Sequence, residues 1–309
     1  MSTAEGRVSA LPFAYGPNFK GTVRRDEPMS RHTTYRIGGP ALYFIEVEDL
    51  PSLARVMEDC ARFRVPWAIV GQGSNLLVSD NGFAGAVIVL KGQFRTWTFD
   101  QERMRYSVGA GMMLSRIVQE AYHQGFSGLE FAVGTPGTVG GAVRMNAGTR
   151  TQWIGQRVVS VTTYSVVRGL QRHPGSRIEW TYRHSSLPAD EVVVECELAV
   201  EKGAEILIRS RMDGALNRRK KSQPMGMPSC GSVFRNPEGN SAGKLIEQAG
   251  LKGASVGGAQ ISTVHANFIV NKGGATAVDV LELMHLAQDK VKETYGIELQ
   301  PEVRFLGFA

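Results

Sequence analysis

Two stretches of this chain could wrap bare backbone around an anion. The first, Gly71-Gln72-Gly73-Ser74-Asn75, follows the strand-like Trp67-Ala68-Ile69-Val70 and precedes the apolar Leu76-Leu77-Val78. The second runs from Gly134 through Thr135, Pro136, Gly137, Thr138, Val139, Gly140, Gly141, Ala142, Val143, Arg144, Met145, Asn146 and Ala147 to Gly148. Glycine lets the chain turn tightly and removes the Cβ that keeps a ligand away from backbone. Successive N–H groups in such turns form a concavity for phosphate, and Thr135, Thr138 and Asn146 add hydrogen bonds without bulk. A single stretch of this kind reads as a surface loop. Two in one modest chain, the first at the end of a strand, read as a ligand cradle. Neither matches a common nucleotide fingerprint: the first lacks the third glycine of G-x-G-x-x-G, and no G-K-[ST] follows either. That argues against an ordinary Rossmann dehydrogenase and a P-loop NTPase.

Other chemistries have less support. The six histidines are scattered without H-x-x-x-H or H-E-x-x-H spacing, so no metal site is indicated. Cys60, Cys196 and Cys230 show no C-x-x-C spacing, and Cys60 and Cys196 fall within apolar patterns that read as core. Ser232 follows Cys230-Gly231 in a turn, but no G-x-S-x-G elbow surrounds it, which disfavours a hydrolase. Arg218-Arg219-Lys220-Lys221 lacks interleaved aromatics and reads as a basic helix end rather than a nucleic-acid patch. The formal charge of +6 favours anionic ligands in general. No apolar run approaches the ~20 residues that span a bilayer, and Pro12 interrupts any signal-peptide core near the N-terminus. No membrane association is expected, and the protein is expected in the cytoplasm.

The 309 residues exceed one ordinary domain, and 42% hydrophobic with 21% charged residues is the balance of a globular chain. Residues 1–20 mix Ser, Ala, Gly and Pro and read as a loose arm or a strap over a neighbour. Ala41–Val47, a helix over Pro51–Phe63, Trp67–Val70 and Ala86–Leu90 read as a βαββ module. Strands are predicted at Phe94–Phe99 and Met104–Val108, with a helix from Leu114 to Gln124 stopped by Gly125. Val158–Val167 and Val192–Val200 read as strands of a second α+β unit. Between them lies Tyr182-Arg183. A helix from Ile206 to about Arg219 leads into the Pro- and Gly-containing segment Lys220–Pro228, which reads as a linker. Beyond it come a strand at Ser232–Arg235, a helix at Ala242–Ala249 stopped by Gly250, and a strand at Asn267–Val270. A long helix capped by Thr276 with Asp279 ends at Gly296, and a strand at Pro301–Leu306 carries Glu302.

The ordered set Thr34-Tyr35-Arg36-Ile37-Gly38-Gly39, Gly71–Asn75, Gly134–Gly148, Tyr182-Arg183, Cys230-Gly231-Ser232-Val233-Phe234-Arg235-Asn236-Pro237, Ala242-Gly243-Lys244-Leu245-Ile246-Glu247 and Pro301-Glu302-Val303-Arg304-Phe305 resembles the UDP-N-acetylenolpyruvoylglucosamine reductase (UDP-N-acetylmuramate dehydrogenase, MurB) family, in its shorter, type II form. The resemblance implies an α+β chain with a two-part, vanillyl-alcohol-oxidase/PCMH-like FAD-binding module and a C-terminal α+β substrate-binding domain. The implied division is an arm over 1–20, FAD-binding subdomains over 21–92 and 93–208, and a UDP-sugar domain over 209–309. It implies non-covalent FAD, NADPH as reductant and UDP-N-acetylglucosamine enolpyruvate as substrate, reduced to UDP-N-acetylmuramate. A monomer is expected, with no nucleic-acid partner.

By the same resemblance the cofactor would meet Tyr35, Arg36, Val70, Gly71, Gln72, Gly73, Ser74, Asn75, Leu76, Gly134, Thr135, Pro136, Gly137, Thr138, Gly140, Gly141, Ala142, Asn146 and Gly148. The substrate would meet Tyr182, Arg183, Lys221, Gln223, Asn236 and Lys244. Hydride delivery to a vinyl carbon leaves negative charge beside a carboxylate, so the implied roles are Arg183 as a fork to that carboxylate, Glu302 as a protonated donor and Ser232 as proton source. The chain departs from the family pattern at Arg144, where a tyrosine is usual, and at Thr149-Arg150, where Ala-Tyr is usual. At Ser222 a lysine is as common, which points to Lys221 for a phosphate contact. Two other readings stand beside this one: another FAD-dependent sugar or alcohol oxidoreductase of the same fold, and a non-catalytic nucleotide-sugar binding protein.

Overall fold

The structure is a computed structural model that describes residues 12–308. Its first unit contains β1 (Gly21–Pro28), β2 (Pro40–Val47), helix α1 (Leu50–Phe63), β3 (Trp67–Ile69), β4 (Leu76–Val78) and β5 (Phe83–Leu90). Four of these strands form a sheet in the order β1-β2-β5-β3, antiparallel at β1 and parallel elsewhere. The expected βαββ module is thus present with a flanking strand added. Asp49 starts α1 by accepting the Ser52 N–H, and Leu53, Val56, Met57 and Cys60 form its buried stripe. The expected loose arm is packed from residue 12 onward: Phe13 lies edge-on to Tyr43 at 4.7 Å, and Tyr15 stacks on Phe19 at 4.2 Å. The rest of that arm lies outside the described residues.

The second unit holds β6 (Trp97–Asp100), β7 (Arg105–Gly109), α2 (Leu114–His123), the pair-forming β8 (Phe126–Ser127), the short α3 (Val139–Arg144), β9 (Val158–Ser165), β10 (Gly169–Pro174), the hairpin β11 (Trp180–Thr181) and β12 (His184–Ser185), β13 (Val192–Ala199) and β14 (Glu201–Lys202). Its sheet is antiparallel in the order β10-β9-β13-β7-β6. Phe94, placed in a strand by the sequence, sits in a 3-10 turn over Gly92–Arg95 that buries its ring. One apolar core joins the first two units, with Ile45, Leu53 and Ile88 meeting Tyr106, Ile117, Val161 and Leu198.

Helix α4 (Glu205–Ser222) sinks Ile208 and Met212 into that same core. The helix expected to open the substrate domain at 209 therefore packs with the second unit, and the change of unit comes at the end of the helix, near Gln223. The C-terminal unit has α5 (Ala242–Gln248), the sheet β15 (Ser255–Val256), β16 (Ala259–Ile261) and β17 (Ile269–Asn271), α6 (Ala277–Tyr295) and β18 (Arg304–Leu306). Helix α6 carries the expected Thr276/Asp279 capping box and ends at Gly296 with φ 67°. The strand expected over Ser232–Arg235 reduces to one bridge, Phe234 to Pro301.

Two features bind this unit to the first. Strand β4 leaves its neighbours and pairs in parallel with β18, so Leu77 joins the C-terminal core together with Tyr35 and Ile37. Asp80 accepts the N–H groups of Ala277 and Val278 at 2.8 and 3.1 Å, neutralising the positive end of α6. Among the described residues no helix is long and apolar enough to cross a membrane, and no group of His, Cys, Asp or Glu could hold a metal ion.

Candidate functional site

The Gly71–Asn75 turn leaves the end of β3 with unspent donors. Among the described residues no acceptor takes the backbone N–H of Gln72, Gly73, Ser74 or Asn75. Carbonyls and side chains hold the turn instead: Gly73 O accepts the Thr34 N–H, Asn75 O accepts the Arg304 N–H, and Asn75 Nδ2 donates to Glu302 O at 3.1 Å. Gly73 has φ 60°, and a Cβ there would lie 2.5 Å from His32 O. A Cβ on Gly71 would lie 2.6 Å from Thr138 Oγ1. The turn is a preformed set of N–H groups with no side chain in front of them.

The second glycine stretch works differently from what was expected. Its middle is α3, capped by Thr138, and the donors from Val139 to Ala147 are spent inside the chain, whereas those of Gly134, Thr138 and Gly148 have no acceptor among the described residues. Val139 N–H goes to Met112 O, Gly140 N–H to Ala110 O, Gly141 N–H to Thr138 Oγ1 and Gly137 N–H to Gln72 Oε1. Gly140 is small because a Cβ would stand 2.9 Å from the Ala110 Cβ, whereas at Gly141 the nearest atom would be 3.5 Å away. Asn146, at φ 42°, also spends its side chain internally: Oδ1 accepts the Gly155 N–H and Nδ2 donates to Thr181 O. Between Val139 and Ala147 this segment is a wall rather than a donor array.

Turn and wall border a cavity of about 320 Å³ between the first two units, lined by Val70, Gly71, Thr138, Gly140, Gly141 and Val193 among others. Its far side is held by Arg144, whose Nη1 donates to Leu187 O at 2.8 Å and Pro188 O at 2.9 Å while Nη2 donates to Glu191 O. Burial lowers the Arg144 pKa, and Glu191 and Asp190 oppose that. The residue that departs from the family pattern is therefore a clamp on the cavity wall.

A second cavity, about 470 Å³, opens between the second and C-terminal units. The β11–β12 hairpin places Tyr182 and Arg183 at its tip, with Arg183 at φ 56°, a left-handed conformation unusual for a side-chain-bearing residue. Arg183 Nε donates to Glu302 Oε1 at 2.6 Å, Nη1 donates to Gly148 O at 3.0 Å, and the guanidinium lies 5.2 Å over the Tyr182 ring. Ser232 and Glu302 are neighbours through backbone: Glu302 N–H donates to Val233 O at 2.8 Å, and Val233 N–H donates to Asn267 O. Asn267, itself buried, also bonds both polar atoms of the Phe234 backbone and fixes the segment. The three residues given catalytic roles in the sequence thus converge from three separate segments. Cys230, two residues from Ser232, is buried, which pushes its thiol up to about 12 and leaves it inert.

Some expected members stand apart. The Tyr35 ring is fully buried in the C-terminal core and its carbonyl accepts from Asn271, so its side chain faces away from both cavities. Lys221, Gln223 and Lys244 do not line the second cavity, whereas Asn236 does, with its Oδ1 capping α5 at the Ala242 N–H. Glu302, expected as a neutral donor, stands here as the acceptor of a charge-assisted bond. Two residues were missed, Trp153 and Trp180, and within the run Arg218–Lys221 the contact was placed on Lys221 rather than Arg219. Arg219 turns inward from the basic run and donates to Gly134 O and Thr135 Oγ1. Burial lowers its pKa and the charge of Arg183 lowers it further, so the two guanidinium groups act on one locus. Trp153 and Trp180 line the second cavity. The 3.6-residue period of α4 allows a buried Arg219, but a run of four basic residues does not say which one faces in.

The comparisons agree with this arrangement. Residues 41–169 match an FAD binding domain model, and residues 223–306 match the C-terminal domain of UDP-N-acetylenolpyruvoylglucosamine reductase. The reductase of that name from Heliobacterium modesticaldum is 44% identical over 94% of this chain and 92% of its own length. The one from Synechococcus sp. is 39% identical over 100% of this chain and 99% of its own. The crystal structure of UDP-N-acetylenolpyruvylglucosamine reductase from Thermus caldophilus superposes with a TM-score of 0.81 at 37% identity, covering 93% of this chain and 99% of that one. With an FAD-binding module in front, a C-terminal domain of the reductase type behind and Arg183, Ser232 and Glu302 gathered between them, the chain belongs to the UDP-N-acetylenolpyruvoylglucosamine reductase family.

Proposed function

We infer that this protein is an FAD-dependent enzyme that uses NADPH to reduce UDP-N-acetylglucosamine enolpyruvate to UDP-N-acetylmuramate, a step of peptidoglycan precursor synthesis. The observation that carries the reading is the convergence of Arg183, Ser232 and Glu302 beside the unspent N–H groups of Gly71–Asn75. The residues present fit the cofactor. Four free backbone donors, two positions where a Cβ would clash and an adjoining cavity suit a pyrophosphate and its nucleoside. Gln72 to Asn75 would hold the pyrophosphate, and Gly140 and Gly141 would form the wall of the nucleoside pocket. When bound, the flavin supplies the hydride that reaches the terminal vinyl carbon.

The chain's own residues do the rest. Arg183 pairs with Glu302, and Arg219 adds a second guanidinium near enough to act on Arg183 while bonding Gly134 O and Thr135 Oγ1, which suits the locus to the substrate's carboxylate. As that carboxylate takes a place on Arg183, Glu302 is displaced from the ion pair, and in its neutral form it would donate to the developing enolate. Ser232 delivers a proton to the carbon bearing the carboxylate. A serine is a weak acid, and the role is credible because the acceptor is a carbanion-like centre in a closed site. Tyr182 and Asn236 orient the sugar nucleotide from the rim.

The test is anaerobic addition of NADPH and then of the enolpyruvyl substrate to the purified protein. Bleaching in the first step and return of flavin absorbance in the second are expected. A colourless protein that binds the sugar nucleotide would favour the non-catalytic reading. Bleaching by a sugar or alcohol and reoxidation by oxygen, with no reoxidation by the enolpyruvyl substrate, would favour the oxidase.

A further inference from the structure

Ser232 and Glu302 reach the site on segments that the Gly71–Asn75 turn holds from two sides. On one side, Asn75 Nδ2 donates to Glu302 O at 3.1 Å and Asn75 O accepts the Arg304 N–H at 3.0 Å. On the other stands Thr34, half-buried in the loop that leads from β1 to β2. Its N–H donates to Gly73 O at 3.3 Å, and its hydroxyl donates to Ser229 O at 2.7 Å. The hydroxyl also lies 3.4 Å from Gly73 O, but it has one proton, and the shorter bond takes it. Glu302 N–H donates to Val233 O at 2.8 Å, which closes a ring running from Gly73 through Thr34, Ser229, Val233, Glu302 and Asn75 back to the turn. Ser232 sits on that ring with little else to hold it. Gly231, before it, has φ 80° and open space where a Cβ would stand, and neither Gly231 nor Ser232 makes a backbone hydrogen bond among the described residues. The stretch is fixed at its ends: Pro228 O accepts the Asn271 N–H at 2.9 Å, Ser229 O accepts from Thr34, and Val233 is held by Asn267 and Glu302. Of these anchors, Thr34 alone also grips the turn directly. A proton donor must stand at a set distance from the reacting carbon, and a displacement of about 1 Å can cost about 10²-fold in rate.

We propose that Thr34 is a positioning residue for reduction of the enolpyruvyl substrate: its hydroxyl fixes the segment carrying Ser232 against the turn that takes the cofactor's pyrophosphate, so that proton donor and flavin keep one spacing. This rests on the function inferred above. Thr34 lines neither cavity and acts through Ser229 and Gly73, so it is not a catalytic residue. Its backbone bond to Gly73 does not depend on the side chain, and the turn keeps that support when the hydroxyl is removed.

The experiment compares flavin-loaded wild type, Thr34→Val and Thr34→Ser. Valine keeps the shape of threonine and leaves Ser229 O without its donor, whereas serine keeps the hydroxyl. In Thr34→Val the flavin content and the rate of bleaching by NADPH should match the wild type, while reoxidation by the enolpyruvyl substrate should slow about 10–100-fold with its KM within about 2-fold. Thr34→Ser should reoxidise within about 3-fold of the wild type, since the bond is restored. Hydrogen exchange of the flavin-loaded proteins gives a readout independent of turnover: amides of residues 229–233 should exchange about 10-fold faster in Thr34→Val, with those of α6 unchanged. Wild-type reoxidation or wild-type exchange in Thr34→Val would overturn the proposal and leave the reductase reading intact. So would flavin loss, or equal slowing of both half-reactions, because Thr34 would then be a plain support of the cofactor turn. If Thr34→Val does not fold, Thr34→Ala and Thr34→Ser both lack the methyl and differ in the hydroxyl alone; slow reoxidation only in the alanine variant is expected, and equal rates in the two would overturn the assignment. A wild type that NADPH bleaches but the enolpyruvyl substrate does not reoxidise would overturn both the proposal and the reductase reading.

Discussion

The cavity between the first two units is lined by the glycines 71, 111, 140 and 141 beside apolar residues and Arg144, and at Gly71 it adjoins the turn with free N–H groups at Gln72 to Asn75. The cavity in front of the C-terminal unit is made of side chains, with Arg183, Tyr182, Asn236 and two indoles around its lining. The first recognises shape and the dipoles of the main chain, so it is sensitive to added atoms and indifferent to most chemistry. The second depends on particular functional groups. A substitution at the second should therefore change a half-reaction with the flavin still bound, whereas one at the first should act through flavin content.

The sharpest way to break that separation is Ser232→Ala. Flavin reduction by NADPH should proceed near the wild-type rate, while reoxidation by the enolpyruvyl substrate should slow by about 10²–10⁴-fold, the usual range for loss of a general acid. Stopped-flow traces with slowed bleaching would instead place Ser232 on the reductant's side. Arg183→Lys comes next. A point charge cannot hold both Glu302 and Gly148 O or grip a carboxylate with two bonds, and reoxidation should fall on the order of 10–100-fold with bleaching unaffected.

On the cofactor side, Gly141→Val and Gly140→Val make a pair. A Cβ at 141 meets only Thr138 Oγ1 at an ordinary 3.5 Å, so that variant should keep its melting temperature and bind FAD about 10-fold more weakly, while at 140 it meets Ala110 and should lower the melting temperature as well. Equal flavin content in wild type and Gly141→Val would remove this wall from the cofactor site. The smallest effect is expected at Lys244, which is exposed and outside the second cavity: Lys244→Ala should raise the KM for the sugar nucleotide only about 2–5-fold, as for a screened charge, with kcat unchanged. A kcat loss larger than the KM rise would bring Lys244 into the chemistry.

Much of this was readable in one dimension because the signals are local. The stripe Leu53, Val56, Met57 and Cys60, the Thr276/Asp279 cap and the Gly296 stop each lie within one helix, where period and capping chemistry decide the outcome. The Gly71–Asn75 turn was legible for the same reason, since absent Cβ atoms after a strand are a property of consecutive residues. Where local signals were read alone they misled. Ser232–Arg235 has the alternation of a strand but finds one bridge partner, because Asn267 and the Glu302 N–H satisfy its backbone instead. Helix α4 was given to the wrong unit because its two buried residues, Ile208 and Met212, do not reveal which core they enter.

What the amino-acid order determined by itself is the identity of the reacting groups and the segments that carry them, since side-chain chemistry and chain flexibility are written residue by residue. Which groups meet is another matter. Arg183 and Glu302 are 119 positions apart and join only because β18 lies beside β4 and the β11–β12 hairpin turns its tip toward them. Whether a glycine N–H is free or spent likewise depends on Ala110 and Gln72, partners distant in sequence. Hydrogen bonds are exclusive, and a donor used at one end of the molecule is lost to a ligand at the other. That exclusivity, decided only when the chain is packed, separates the cradle at Gly71 from the wall at Gly140.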